Sequence, residues 1–293
     1  MVGTVETVRE TSVRRRAPVA NLWHGILPAV ILMAGFFVVP IGYTVGLSFT
    51  GADHGGLTLS NYVTFFTNDR FTDALVRSVL LASAAVVLAS VIAYPLAWFL
   101  TYAAHPRRRF LLLFLLIAPF WTSFTIRAFS WQLVLSDSGV IAFALTKVLG
   151  QPVALGFLYT MSASVFGLAL FGIMLMTLTI FSVMVTIDPR LLEANRDLGG
   201  SEWRGFLEIV LPLSLPGWII GAVLTFIICV GDYAVPTLLG GGFKPVLAQL
   251  MLSTLKGTYD LPMAATFAAV LMGVVLVSAL PLALVRRQVR LQA

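Results

Sequence analysis

Six apolar runs, each long enough to cross a bilayer, constrain this chain more than any other feature. They fall at residues 22–49, 74–102, 110–135, 157–187, 213–239 and 261–285, and a membrane helix needs about 20 mostly apolar residues. A water-soluble fold has nowhere to bury them. Soluble domains are about 45–50% apolar and about 25% charged, whereas this chain of 293 residues is 59% apolar and 11% charged. Disorder is excluded as well, because it needs low hydrophobicity and high charge. The expected fold class is an all-α membrane protein with six transmembrane helices in the lipid bilayer. Several runs exceed the minimum, so some helices tilt or run into the interface. Pro28, Pro40, Pro95, Pro119 and Pro281 lie inside the runs. Neighbouring helices can satisfy the backbone groups that proline frees, which is compatible with kinked helices around a cavity without establishing one.

The net charge of +6 is unevenly placed. With the N-terminus in the cytoplasm, 13 of the 19 basic residues face inward: Arg9, Arg14, Arg15, Arg16, Arg107, Arg108, Arg109, Arg190, Arg196, Arg204, Arg286, Arg287 and Arg290. Arg70, Arg77, Arg127, Lys147, Lys244 and Lys256 face outward. The positive-inside rule then sets both termini in the cytoplasm, and the charge reads as topology, not as a nucleic-acid surface. The expected organisation is a basic tail (1–21), a first transmembrane helix (22–49), a membrane core (74–285) and a short tail (286–293). The apolar run after Arg14, Arg15 and Arg16 is too long for a signal peptide, so it reads as an uncleaved span.

One cysteine, Cys229, permits no intramolecular disulfide and no cysteine zinc site. His24, His54 and His105 show no metal-site spacing, and no metal or cofactor is expected on this chain. The outer segment 51–73 has a loop composition with several Gly and Asn, 136–156 holds a helical stretch at 140–149, and Gly240, Gly241 and Gly242 open the last outer loop.

The longest inner segment, 188–212, reads as two short helices. Asp188 is a cap with Pro189 at the first helical position, and Gly199 and Gly200 end that helix. Ser201 caps a second, where Trp203, Phe206, Leu207 and Val210 share a face. Pro212 begins the turn back into the membrane. The segment is either an interfacial connector or a rigid docking element for a cytoplasmic partner.

Glu193, Ala194, Gly199, Ile209, Leu211 and Pro212 stand at the spacing of the EAA loop, and the segment resembles that loop of binding-protein-dependent ABC importer permeases. Asn195 replaces the second alanine of the pattern. Residues 119–131 resemble the third span of spermidine/putrescine permeases of the PotB type, and residues 231–241 resemble the exit of their fifth span. The resemblance implies a type I importer permease that couples ATP hydrolysis to transport through this loop. It implies three partners: a cytoplasmic ATPase dimer, a second, PotC-like permease subunit and an external substrate-binding protein. ATP and Mg would be used by the ATPase. In this chain no lysine precedes Ser or Thr, so the phosphate-loop ending is absent and the chain reads as a transport subunit, not an enzyme. The cargo it implies is a polyamine, with an amino-acid derivative or another small solute left open.

For the substrate pathway the candidates are Asp232, Tyr233, Trp121, Trp131 and Tyr159. Asp232 is either an interfacial cap or a cation-attracting group, since a carboxylate at membrane depth must face protein or water. Tyr233 beside it could add a cation–π face. Trp121, Arg127 and Trp131 equally suit an aromatic belt, with Asp137 a partner for Arg127. Asp73 and Arg77 have ion-pair spacing. Two rivals stand beside the importer: an ion-gradient carrier, which would show repeats and broken helices at a midplane site, and a membrane enzyme, for which no convergent cluster exists in the spans.

Overall fold

The computed structural model describes residues 20–51, 56–242 and 244–282, with side chains from residue 27 onward. The basic residues of both tails and His54 lie outside the described residues, as does the side chain of His24. The chain divides into two units, residues up to Gly46 and Leu47 onward.

The first unit consists of α1 (Ala20–Met33), a widened π-type turn at Ala34–Val38 and most of α2 (Val39–Ser48). Pro40 explains the wide turn. Proline has no N–H to donate and its ring collides with the carbonyl four residues back. In the wide turn Val39 N donates to Ala34 O, five residues back, and the strain is relieved without breaking the helix.

The second unit begins with α3 (Ser60–Thr67) and α4 (Asp69–Trp98), which ends in a π-type turn at Phe99–Ala103. Next come α5 (Pro106–Ile117), a 3-10 turn at Ala118–Trp121, α6 (Phe124–Leu135) and α7 (Val140–Leu149). α8 (Met161–Met184) precedes α9 (Pro189–Asp197) and α10 (Glu202–Gly205). A π-type turn at Phe206–Val210 leads directly into α11 (Leu211–Val230). α12 (Ala234–Leu238), α13 (Leu247–Ser253) with a further wide turn at Thr254–Thr258, and α14 (Leu261–Ser278) complete the unit.

Six helical stretches among the described residues are long and apolar enough to span a membrane: Leu27–Ser48, Asp69–Ala103, Phe124–Leu149, Met161–Met184, Glu202–Val230 and Leu261–Ser278. The number agrees with the sequence, and the third and fifth pairs of bounds do not: the fifth, expected at 213–239, runs Glu202–Val230 and stops at Gly231. Residues 110–135 are not one helix. Pro119 sits in the 3-10 turn, and Thr122 and Ser123 have extended ψ values of 153° and 139°. Ala118, before the proline, stays helical; Pro119 removes one backbone donor, and the helix gives way in the turn that follows it. α6 and α7 are joined at Gly139, where a Cβ would lie 2.6 Å from the Val134 carbonyl oxygen.

The loop 188–212 also departs from expectation. Its second helix does not end at Pro212. It runs through the wide turn into α11, with Leu211 N donating to Phe206 O. Pro212 stands in the same relation to its wide turn as Pro40 does to the first.

Small side chains bring α4, α8 and α11 together. Ala82, Ala85, Ala89, Ala93 and Ala97 form a buried stripe on α4. A Cβ on Gly172 of α8 would lie 2.9 Å from Ala89 Cβ and 2.6 Å from Thr225 Cγ2 of α11. Lipid offers no hydrophobic drive for association, so close backbone approach and dispersion must hold such helices. Met176, Ile180, Met184 and Val210 fill the space below the stripe, and Cys229 is buried in a neighbouring apolar cluster as a packing residue. Phe65, Leu247, Leu250 and Phe267 form a third cluster, which anchors α3 and α13.

Candidate functional site

The loop between α8 and α11 is built from local capping. Asp188 accepts a hydrogen bond from Arg190 N at 3.0 Å, and Pro189 occupies the first turn, where its missing N–H costs nothing. At the other end of α9, Leu198 N donates to Ala194 O and Gly200 N to Asn195 O, at 3.1 and 2.8 Å. Gly199 has φ +78°, the left-handed conformation that glycine adopts without penalty. Ser201 accepts from Arg204 N at 3.2 Å. Two ion pairs brace the outside: Arg196 with Glu202 and Arg204 with Glu208, both at 2.9 Å. Both are exposed, and such pairs contribute about 0–1 kcal/mol each.

Glu193 and Ala194 are exposed on α9. Glu193 lines a groove of about 190 Å³ with Trp98, Tyr102, Leu192 and Glu202, and its carboxylate has no hydrogen bond or ion pair among the described residues. Ile209 and Leu211 are half-buried and Pro212 is exposed on the continuous helix that begins at Glu202. The six residues thus fall on two helices, Glu193 and Ala194 on α9 and Ile209, Leu211 and Pro212 on the helix that leads into the fifth span, with Gly199 in the turn between them. Beside it, Ser90, Tyr94, Trp98, Trp203 and Phe206 line a larger apolar cleft of about 570 Å³.

The pathway candidates lie elsewhere, and Tyr159 and Tyr233 line separate cavities. α4 passes both regions: Trp98 lies at the loop and Arg77 at the other end, 21 residues or about 32 Å apart at 1.5 Å per residue. Tyr159 lines a cavity of about 250 Å³ there with Arg77, Ser164, Gly240 and Lys244. Its φ is +63°, unusual for a bulky residue, and it is held by Tyr159 N donating to Leu239 O at 2.7 Å. Tyr233 is exposed and lines a different cavity, of about 210 Å³, with Thr237, Gln249 and Lys256. Trp131 packs edge-on against Phe166 at 5.3 Å, and Trp121, 75% exposed, packs against Phe114 at 5.5 Å.

Arg127 does not pair with Asp137. Its guanidinium lies 4.3 Å from the centre of Phe120 and 5.6 Å from that of Phe124, while Asp137 accepts from Gly156 N at 3.0 Å. Asp73 and Arg77 do meet, at 3.6 Å. The cationic lining of Arg77 and Lys244 was not legible in the sequence, since 167 positions separate residues that only the fold unites.

Asp232 caps α12: its carboxylate accepts from Ala234 N at 2.8 Å and from Val235 N at 3.4 Å. Burial pushes this carboxyl above its ordinary value, and the two amides, which act the other way, do not cancel it. A raised carboxyl holds its proton more tightly in the folded state. Its contribution to stability is thus greatest below the ordinary aspartate value and falls as pH rises from about 4 through the raised value. Two outcomes are expected in a pH series of melting curves. Asp232→Asn, neutral and still an acceptor, melts at or above the native chain at pH 7, and this advantage fades toward pH 4. Asp232→Ala, without the cap, loses about 0.5–2 kcal/mol. An Asn variant that melts well below the native chain at pH 7 would contradict this account.

Residues 56–290 match the family described as binding-protein-dependent transport system inner membrane component. The spermidine/putrescine transport system permease protein PotB of Escherichia coli (strain K12) is 32% identical over 237 residues, covering 78% of this chain and 85% of PotB. The inner membrane ABC transporter permease protein YdcU of the same strain is 29% identical over 285 residues, covering 91% of this chain and 86% of YdcU. A chain from the crystal structure of a bacterial alginate ABC transporter, in complex with a periplasmic protein carrying an alginate pentasaccharide, superposes with a TM-score of 0.71 at 17% identity. That likeness, over 92% of this chain and 95% of the other, is one of fold.

Proposed function

Because the chain belongs to the family of inner membrane components of binding-protein-dependent transport systems, we propose that it is the permease subunit of an ATP-driven importer for a polyamine of the spermidine/putrescine class. The observation that carries this reading is the family match over residues 56–290, which includes the whole loop 188–212. The identity with PotB supports the polyamine cargo. In this reading the chain forms half of a pore with a second, PotC-like permease. An external binding protein delivers the cargo, and a cytoplasmic ATPase dimer binds ATP and Mg. Both termini lie with the ATPase in the cytoplasm, as the basic residues favour.

The chain's own residues supply the mechanical link. Glu193 and Ala194 on α9 face the ATPase, and the caps at Asp188, Gly199 and Ser201 keep the element from yielding when it is pushed. Because α10 and α11 are one continuous helix with Ile209, Leu211 and Pro212 in it, displacement at the loop is transmitted directly to the fifth span. Closing of the ATPase dimer then opens the pore outward, and hydrolysis resets it. Tyr233, Trp121, Trp131 and Tyr159 are candidates for the cargo route. Asp232 is one only if its carboxylate serves cargo as well as the cap.

The test uses the tagged permease purified from its own membranes. ATPase and a second permease should co-purify, and vesicles containing the complex with its binding protein should take up spermidine only with ATP inside. Uptake that an uncoupler abolishes while ATP remains would favour the ion-gradient carrier instead. A second cargo reading, an amino-acid derivative bearing a carboxylate, has one observation behind it: Arg77 and Lys244 line the same cavity. ATP-dependent uptake of a zwitterionic amino acid by the same vesicles, with no uptake of spermidine, would select it.

A further inference from the structure

We propose that Asn195 is a positioning residue whose side chain sets the angle between α9 and α10, and that Gly200 is glycine in order to admit it. Gly199 and Gly200 look like one helix stop, yet they are glycine for different reasons. Gly199 has φ +78° and open space around its missing Cβ. Gly200 has no positive φ, so its backbone would suit any residue. What a side chain would meet there is Asn195, which must move to admit it: a Cβ would lie 2.6 Å from Asn195 Cγ and 2.7 Å from Asn195 Nδ2. Gly205, buried on α10, also lies against this amide, with a Cβ 3.0 Å from Asn195 Nδ2.

The amide against these glycines donates from Nδ2 to Ser201 O at 3.2 Å. Ser201 is the cap of α10, so the bond ties the end of one helix to the start of the next. Asn195 can rotate away from a Cβ at 200 only by giving up this bond and its seat against Gly205. The asparagine that departs from the family pattern and the glycine five residues on are thus one size-matched pair. An alanine at 195 would leave a void where the amide sits and would leave the Ser201 carbonyl without this donor.

This inference rests on the reading of the loop as the ATPase contact, and its test separates the two. Asn195→Ala, Gly200→Ala and the double variant are compared as tagged complexes for ATPase retained per permease, for spermidine uptake in vesicles, and for hydrogen exchange of the peptide covering 196–205. Gly200→Ala alone should lower retention and uptake about tenfold, as an overpacked contact does, and should speed exchange. In the Asn195→Ala background the same change should cost less than about twofold, the mark of a coupled pair. Equal loss in both backgrounds, or no loss in either, overturns the pairing. If the native complex retains ATPase but imports no spermidine, the cargo reading fails and retention still decides. If it retains no ATPase, the docking reading fails, and exchange still decides whether Asn195 and Gly200 act as a pair.

Discussion

Replacing Gly199 by valine is expected to cut ATP-dependent spermidine uptake about tenfold or more, while asparagine at the same position keeps most of it. Space is not the issue, because nothing lies within 4 Å of the missing Cβ. The backbone is. Its φ of +78° costs an L-residue about 1–2 kcal/mol, and a β-branched side chain is worse placed there than any other. Asparagine visits the left-handed region with less penalty. A penalty of about 1.4 kcal/mol is a factor of ten in any equilibrium it biases. With valine the chain escapes by unwinding the last turn of α9, which would release the bonds from Leu198 N to Ala194 O and from Gly200 N to Asn195 O. Glu193 then loses the direction that α9 gives it. Its carboxylate is exposed and has no partner among the described residues, so Glu193→Gln should leave the fold intact and still weaken ATPase retention. Both variants are read by ATPase co-purification and vesicle uptake. Full uptake with normal retention in Gly199→Val would remove the loop from the coupling path.

Much of that element could be read from the sequence because its determinants are local. Asp188, Pro189, Gly199 and Ser201 each act on backbone groups within a few residues, so their spacing alone fixes where α9 starts and stops. The helix at 140–149 was legible for the same reason: apolar periodicity bounded by Gly139 and Gly150. What was not legible depends on distant partners. α3 lies in a segment of loop composition, and it is helical because Phe65 is fully buried against Phe71 and Phe267, whose ring centres are 6.2 and 5.8 Å away. α13 is anchored by Leu247 N donating to Ser78 Oγ at 2.9 Å, across 169 positions. The break in the third run needed more than Pro119, since Pro95 and Pro216 stay inside continuous helices. Proline marks where a helix can yield, and the surrounding packing decides whether it does. The role of Asn195 had a visible sign, its departure from the pattern, but the space it fills is created by Gly200 and Gly205 and shows only in three dimensions.

The seam between α8 and α11 sets the other large expectation. Gly221→Leu should destabilise the purified chain by about 3 kcal/mol, the upper part of the range for overpacking. Gly217 and Gly221 lie one turn apart on α11 and face α8 so closely that a Cβ on Gly217 would stand 2.6 Å from Thr179 O, and one on Gly221 would stand 3.1 Å from Met176 Cα. These are backbone atoms, which cannot rotate aside as the end of a side chain can. A leucine therefore has to push the two helices apart. Separation also strips contact from Met176 and Ile180, both fully buried, and in lipid such contact is what holds helices together. Gly273 on α14 provides the control. It is exposed with nothing within 4 Å of its missing Cβ, so Gly273→Ala should gain about 0.5–1 kcal/mol from helix propensity alone. Melting curves in detergent read both changes, and they should move in opposite directions. If Gly221→Leu melts with the native chain, the glycines do not set the spacing of α8 and α11, and the seam must be held by the larger side chains at its edges.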